Sequence, residues 1–139
     1  MKKDLLAQCL MYAGVLPFFG AAIILAVKPN FLGLNYDSVI LTYGAVIASF
    51  VAGIHWGIYL FKDPPLNLFI HSNIAALLAW SAVLVADRRG AFILLLCFLY
   101  LIVIDRHLSK AGVIEGWYLR MRLIATTLVI VALLFYAVF

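Results

Sequence analysis

The residues of this sequence that could form a chemically active site are two histidines, one aspartate, two arginines and three aromatic residues. They are His55, Trp56, His71, Asp105, Trp117, Tyr118, Arg120 and Arg122. Arginine offers a planar fork of donors that suits phosphate, tryptophan and tyrosine suit the lipid–water interface, and histidine ligates haem and metals. These residue types favour binding of an amphipathic or anionic group.

Motifs of enzyme chemistry are missing from the sequence. It contains no Gly-x-Ser-x-Gly, His-Glu-x-x-His, Cys-x-x-Cys or phosphate loop. Cys9 and Cys97 show no metal spacing, and His55 with His71 is the one histidine pair that could serve a haem or metal. No acidic residue is evident to orient either imidazole, as is usual at metal sites. We therefore expect no catalytic residues, no cofactor and no metal, and the sequence indicates no enzyme activity.

The composition predicts which elements hold these residues. Charged residues make up 12% of the 139 residues, hydrophobic residues make up 68%, and the mean hydropathy is +1.16. A soluble domain has about a quarter of its residues charged, so most of this chain must face lipid. A helix needs about 20 apolar residues to cross a bilayer. We predict an all-α polytopic membrane protein, one domain over 1–139, with helices at 5–27, 36–62, 66–86, 91–108 and 117–139.

The basic residues predict the orientation of these spans. They lie at the span ends, as topology determinants do, and most of the ten lysines and arginines lie on one side. We predict a multi-pass protein of the cell inner membrane with its N-terminus in the cytoplasm. Because the net charge of +4 is scattered over the span ends, we expect the lipid bilayer, and no nucleic acid, as partner.

This orientation brings the polar residues of four helices to the cytoplasmic leaflet. His55 is the deepest, and an ionisable side chain at the centre of a membrane helix costs about 2.5–3.5 kcal/mol. We expect it to face other helices, with Asp105 or an arginine of the fifth helix as its partner. Each residue also has a plainer explanation, as a packing histidine, a helix end, an interfacial aromatic or a topology charge. Only their convergence favours a binding cluster.

Small residues recur at every fourth position of the second predicted helix. They are Ala45, Ser49, Gly53 and Gly57. This spacing lets helix backbones approach closely in lipid. We predict that the stripe packs the second helix centrally, with a contact between two copies of the chain as the alternative. In the first helix, Gly14 and Pro17 predict a kink.

Several motifs carry a family resemblance. They are Gly14-x-x-Pro17-Phe18, Tyr43-Gly44-Ala45, Phe50, Gly53-x-His55-Trp56-Gly57, and Trp117-Tyr118 followed by Arg120 or Arg122. With them the chain resembles the bacterial and mitochondrial family called domain of unknown function 3429, the transmembrane protein 69-like small membrane proteins, over most of its length. The resemblance implies a small multi-helix protein of bacterial inner or mitochondrial membranes, and it implies no activity.

Three functions are compatible with these residues. The leading hypothesis is a small membrane protein whose cytoplasmic-leaflet cluster binds a lipid or quinone-like head group, or a partner subunit. The second is an oligomeric transporter or channel, since five helices leave little room for a pore in one copy. The third is a redox or haem-binding subunit that uses His55 and His71.

Overall fold

The computed structural model describes residues 2–139, and within that range every regular element is helical. The helices are α1 (Lys3–Ala13), α2 (Leu16–Val27), α3 (Tyr36–Phe61), α4 (Leu68–Val85), α5 (Arg88–Lys110) and α6 (Gly116–Val138), with a 3-10 turn at Phe31–Gly33. Five spans are long and apolar enough to cross a membrane: α1 with α2, and each of α3 to α6. The predicted all-α, five-span fold is therefore confirmed.

Short polar side chains cap the N-termini of three helices. Asn35 accepts the backbone amide of Ser38 at 3.2 Å, and Asn67 accepts that of Ile70 at 3.3 Å. The carboxylate of Asp87 accepts the amide of Arg89 at 2.8 Å. Asparagine and aspartate are preferred at this position because their side chains satisfy amides that have no partner in the first helical turn. These caps determine where α3, α4 and α5 begin.

The first span, Lys3–Val27, is interrupted at Gly14–Val15, where Gly14 and Pro17 predict a kink. Both Gly14 and Val15 keep right-handed helical backbone angles, so the chain bends there without leaving the span. Pro17 has no amide hydrogen, so the carbonyl of Ala13 cannot receive the usual helical bond. The hydroxyl of Tyr43 donates to the carbonyl of Gly14 at 2.8 Å and fixes the break against α3.

The helices pack around α5. It contacts α3, α4 and α6, while α2 packs against α3 and α6. A larger share of α5 is buried than of any other span, while α3, the second predicted helix, likewise packs against three helices, α2, α4 and α5. By contrast, α1 has no buried residue and rests mainly against α6. This loosely packed N-terminal segment leaves room beside the bundle.

The small residues of α3 that enter the core are Gly44, Ala48 and Ala52. A Cβ added at Gly44 would lie 2.6 Å from Cδ1 of Leu94, so a larger residue there would require the Leu94 side chain to move. In the predicted stripe, Ser49 and Gly53 are exposed, and Ala45 and Gly57 are half-buried. The two stripes lie about 100° apart around the helix, and spacing does not tell which one faces the core. A contact between two copies through the exposed stripe stays a prediction.

Candidate functional site

Three ionisable side chains from three helices meet inside the bundle. Nε2 of His55 on α3 lies 2.7 Å from Oδ1 of Asp105 on α5, and Nε of Arg122 on α6 donates to Oδ2 of Asp105 at 2.9 Å. None of the three residues is more than 3% exposed. We call His55, Asp105 and Arg122 the buried cluster.

The surroundings of the buried cluster leave hydrogen-bonding capacity unused. Among residues 2–139, the buried atoms Nδ1 of His55, Nη2 of Arg122 and Oγ1 of Thr126 have no hydrogen-bond partner. A buried polar group left unpaired costs about 1–3 kcal/mol. Thr126 follows Arg122 by four residues, so both lie on the same face of α6.

A cavity of about 400 Å³ adjoins the buried cluster, and Arg122 and Thr126 belong to its wall. Arg122 is the only charged residue among the described residues that line it, and Thr126 and Tyr118 supply the only other polar side chains. The rest of the wall is aliphatic, aromatic or methionine. A mostly apolar cavity of this size with a few polar groups is typical of a small-molecule site.

The helix packing explains why the cavity forms here. The face of α6 that carries Tyr118, Arg122 and Val129 turns toward α3 and toward the break between α1 and α2. Ala7 and Gly14 on the opposite wall have almost no side chain, so they leave the space open. Because α1 has no buried residue, its inner face borders this space instead of packing onto the core.

The eight predicted site residues divide between several places. The buried cluster contains His55, Asp105 and Arg122, and Tyr118 lies at the wall of the same cavity. Arg120 is exposed. Side chains two residues apart on a helix point about 200° away from each other around its axis. Arg120 and Arg122 therefore lie on opposite faces of α6.

The predicted tryptophans lie outside the buried cluster. Trp56 is 41% exposed and packs against the ring of Phe69, with ring centroids 4.5 Å apart. Trp117 donates from Nε1 to the carboxylate of Glu115 and packs edge-on against Tyr118, with centroids 6.0 Å apart. These positions are those of aromatic residues near a helix end or a lipid-facing surface.

The two candidate histidine ligands have different neighbours. Nδ1 of His71 lies 2.5 Å from the hydroxyl of Tyr100, whereas His55 contacts Asp105. Over residues 2–139 there is no group of three or more His, Cys, Asp or Glu side chains arranged to hold a metal ion. His71 therefore forms its own pair with Tyr100, apart from the buried cluster.

Sequence reasoning missed Thr126 and the apolar wall of the cavity. The signal for Thr126 was present, because a threonine four residues after a membrane-embedded arginine shares its helix face. Phe50 was noted only as a motif residue, yet it lines the cavity with Val51 and Ile54. These apolar residues carry no signal of their own, since an apolar residue in a span usually faces lipid or core.

Comparison with known proteins gives the family. The profile of the family described as "Protein of unknown function (DUF3429)" matches residues 4–138. A curated relative, transmembrane protein 69 of Xenopus tropicalis, is 30% identical over 129 residues, which cover 87% of this chain and 49% of the relative. The chain thus spans about half the length of that relative. No solved structure matches it. This five-span, multi-pass membrane protein therefore belongs to the DUF3429 family.

Proposed function

We propose that this protein binds the polar end of an amphipathic molecule, such as a lipid or quinone-like head group, in the cavity beside the buried cluster. The observation that carries the proposal is the coincidence of two features at one place. A cavity of about 400 Å³ is walled mainly by apolar side chains, and its polar wall residues, Tyr118, Arg122 and Thr126, all lie on one helix, α6.

Both the apolar and the polar part of such a molecule can gain free energy in the cavity. Its apolar part gains about 25 cal/mol for each Å² removed from water, although a ligand that already resides in lipid gains less. Its polar part gains more here, because the acyl region of a bilayer offers few polar partners and this wall carries the side chains of Tyr118, Arg122 and Thr126. The preference for the cavity over bulk lipid therefore comes from these polar residues.

We infer that the membrane is the cell inner membrane and that the cavity opens in its cytoplasmic leaflet. The support is the position of the basic residues, since the positive-inside rule places them in the cytoplasm. Basic residues lie at the start of α1 (Lys2, Lys3), in the last turns of α5 (Arg106, Lys110) and near the start of α6 (Arg120), at the same end of the bundle as the buried cluster.

Native mass spectrometry from lipid nanodiscs tests the proposal. The wild type is expected to retain an amphipath of defined mass. Ala125→Phe places an aromatic ring at the cavity wall and is expected to abolish retention. Leu128→Phe, on the lipid-exposed side of the same helix, is the matched control and should retain the molecule.

The result that contradicts the proposal is equal retention in the wild type and in Ala125→Phe. Circular dichroism of each variant shows whether the helices are intact. If Ala125→Phe does not fold, Ala7→Phe replaces it, because this change fills the cavity from α1, which has no buried residue. Retention that depends on a co-purified protein instead of a small molecule would favour the partner-subunit alternative.

A further inference from the structure

We propose that the cavity admits one alkyl chain of a membrane amphipath from the side, through an opening between α1 and α3, and that this chain lies along α6 and ends near the interruption between α1 and α2. This inference rests on the proposed function and specifies how the ligand of the same site enters and lies. It follows from the exposure, the length and the closed inner end of the cavity wall.

The exposed part of the wall lies where α1 faces α3. Leu10 on α1 is 64% exposed and Phe50 on α3 is 69% exposed, whereas the wall residues of α6 from Met121 onward are buried. Exposed side chains at the edge of a cavity mark its opening. Because α1 packs mainly against α6, it leaves this opening toward α3.

The opening lies within the membrane and not at its surface. Leu10 follows the start of α1 by seven residues, and Phe50 precedes the end of α3 by eleven. At a rise of about 1.5 Å per residue, these positions are about 10 Å and about 16 Å along their helices. Both belong to spans that can cross a hydrocarbon core about 30 Å thick. A molecule that enters here therefore comes from the lipid.

The cavity is elongated along the helix axes. Its wall runs from Tyr118 to Val129 on α6, a rise of about 16 Å, and from Ile47 to Ile54 on α3, a rise of about 10 Å. One leaflet accounts for half of the hydrocarbon core, which is about 15 Å. The cavity therefore has the depth over which an alkyl chain of a leaflet lipid extends.

Packing of α2 closes the inner end of the cavity. Val15 is the last wall residue of the first span, and Phe18 follows it by one helical turn with 1% exposure. The ring centroid of Phe18 lies 5.0 Å from that of Tyr43 on α3 and 6.3 Å from that of Phe98 on α5. Beyond this point α2 packs against both α3 and α6. A chain in the cavity therefore ends near the middle of the bilayer.

Polarity along α6 gives the direction of the chain. Tyr118 and Arg122 lie in the first two turns of α6, and Thr126 lies one turn further on. The inner end is apolar, with Val15 and Val129 as wall residues. The polar end of the amphipath therefore lies toward Tyr118, and the end of its chain lies toward Val129.

Two photo-reactive lysophosphatidylcholines test the direction of the chain. They carry a diazirine near the first or near the last carbons of the same palmitoyl chain, and cross-linked peptides are identified by mass spectrometry after irradiation in nanodiscs. The first probe is expected to label Ala7 and Ile54, and the second to label Ile47 and Val129. Labelling in the reverse order, or at the same residues by both probes, would overturn the inference.

Two tryptophan variants of α1 test the opening. Leu10→Trp places a large ring at the rim and is expected to lose most of the labelling of Ile47 and Val129 by the second probe. Leu5→Trp is the matched control, because Leu5 is 52% exposed on the same helix and lies outside the wall. Since α1 has no buried residue, both variants keep the fold. Equal labelling in the two variants would overturn entry between α1 and α3.

The outcomes separate the inference from the proposed function. Labelling of the wall in the reverse order that is lost in Ala125→Phe would overturn the direction of the chain and leave the cavity as an amphipath site. Labelling by both probes that is unchanged in Ala125→Phe would overturn the inference and the proposed function together.

Discussion

At the scale of single residues, the structure depends on how Asp105 is satisfied. Its two oxygens bond His55 and Arg122, and through them it joins α3, α5 and α6. A buried ion pair adds little over a well-packed apolar pair, but the loss of one partner leaves the other charge uncompensated. Replacing one member of the Asp105–Arg122 pair should therefore destabilise the fold more than replacing both members with apolar residues of similar size.

Asp105→Asn should lower the free energy of unfolding by about 3 kcal/mol, because Arg122 then stays buried without its countercharge. Asp63→Asn, in the exposed loop between α3 and α4, is the control and should change it by less than about 0.5 kcal/mol. The measurement is denaturant unfolding in detergent micelles. The double variant Asp105→Leu with Arg122→Met should regain most of the loss. If Asp105→Asn unfolds with the same free energy as the wild type, the buried cluster does not stabilise the fold.

The identity of these residues could be predicted in part from the sequence. The depth of His55 and the shared leaflet of Asp105 indicated a pair, and the structure places them in contact. The choice between Arg120 and Arg122 could not be made, because both belong to the same turn and only the rotation of α6 against α5 decides which one is buried. That rotation is set by packing of Met121, Ala125 and Val129, which the sequence does not distinguish from lipid-facing residues.

At the scale of helices, close contacts occur where a glycine meets a backbone. A Cβ at Gly90 would lie 2.5 Å from the carbonyl oxygen of Ala82, at the point where α5 starts beside α4. At Gly53, by contrast, an added Cβ meets nothing within 4 Å. Both glycines lie in helices, so a comparison of the two separates packing from helix propensity.

Gly90→Ala should destabilise the protein by about 1–3 kcal/mol, because the backbone of α4 must move away. Gly53→Ala should be neutral or stabilising by up to about 1 kcal/mol, since alanine is the better helix former. Thermal unfolding of the two variants in the same detergent provides the measurement. The structure would be contradicted if Gly53→Ala proved the more damaging change in a monomeric preparation.

The helix pattern could be predicted from the sequence better than the helix faces. Long apolar runs give the five spans, and Gly14 with Pro17 indicates an interruption in the first one. The partner of the freed Gly14 carbonyl could not be predicted, because the Tyr43 hydroxyl that bonds it lies 29 residues away in the sequence. On α3 the stripe through Gly44 and the stripe through Ala45 have the same four-residue spacing, so spacing does not tell which one faces the core. The close contact of Gly44 with Leu94 on α5 identifies the first of them.

At the scale of the whole molecule, two ends of the bundle differ in charge and in content. One end holds the buried cluster and the α5–α6 loop. At the other end the hydroxyl of Tyr136 on α6 donates to Asp37 on α3 at 2.6 Å. The cavity opens in the half that holds the buried cluster. The orientation of this half in the cell determines from which leaflet a ligand enters.

Cysteine labelling tests the predicted orientation. In a background with Cys9→Ala and Cys97→Ala, Ala111→Cys in the α5–α6 loop and Asn30→Cys after α2 are both exposed. A membrane-impermeant maleimide should label Asn30→Cys in intact spheroplasts and Ala111→Cys only in inverted vesicles. The reverse pattern would place the buried cluster in the outer leaflet and remove the support for a cytoplasmic-leaflet site.

The central claim, that the cavity beside Arg122 and Thr126 holds an amphipath, is tested most directly by photo-cross-linking and peptide mass spectrometry. The probe is decylubiquinone with a diazirine on the first carbons of its alkyl tail. The account predicts cross-links at cavity residues such as Met11, Ile54 and Met121, reduced by Ala125→Phe and unchanged by Leu128→Phe. Cross-links spread over lipid-facing residues such as Leu96 and Val103, with equal yield in both variants, would contradict it.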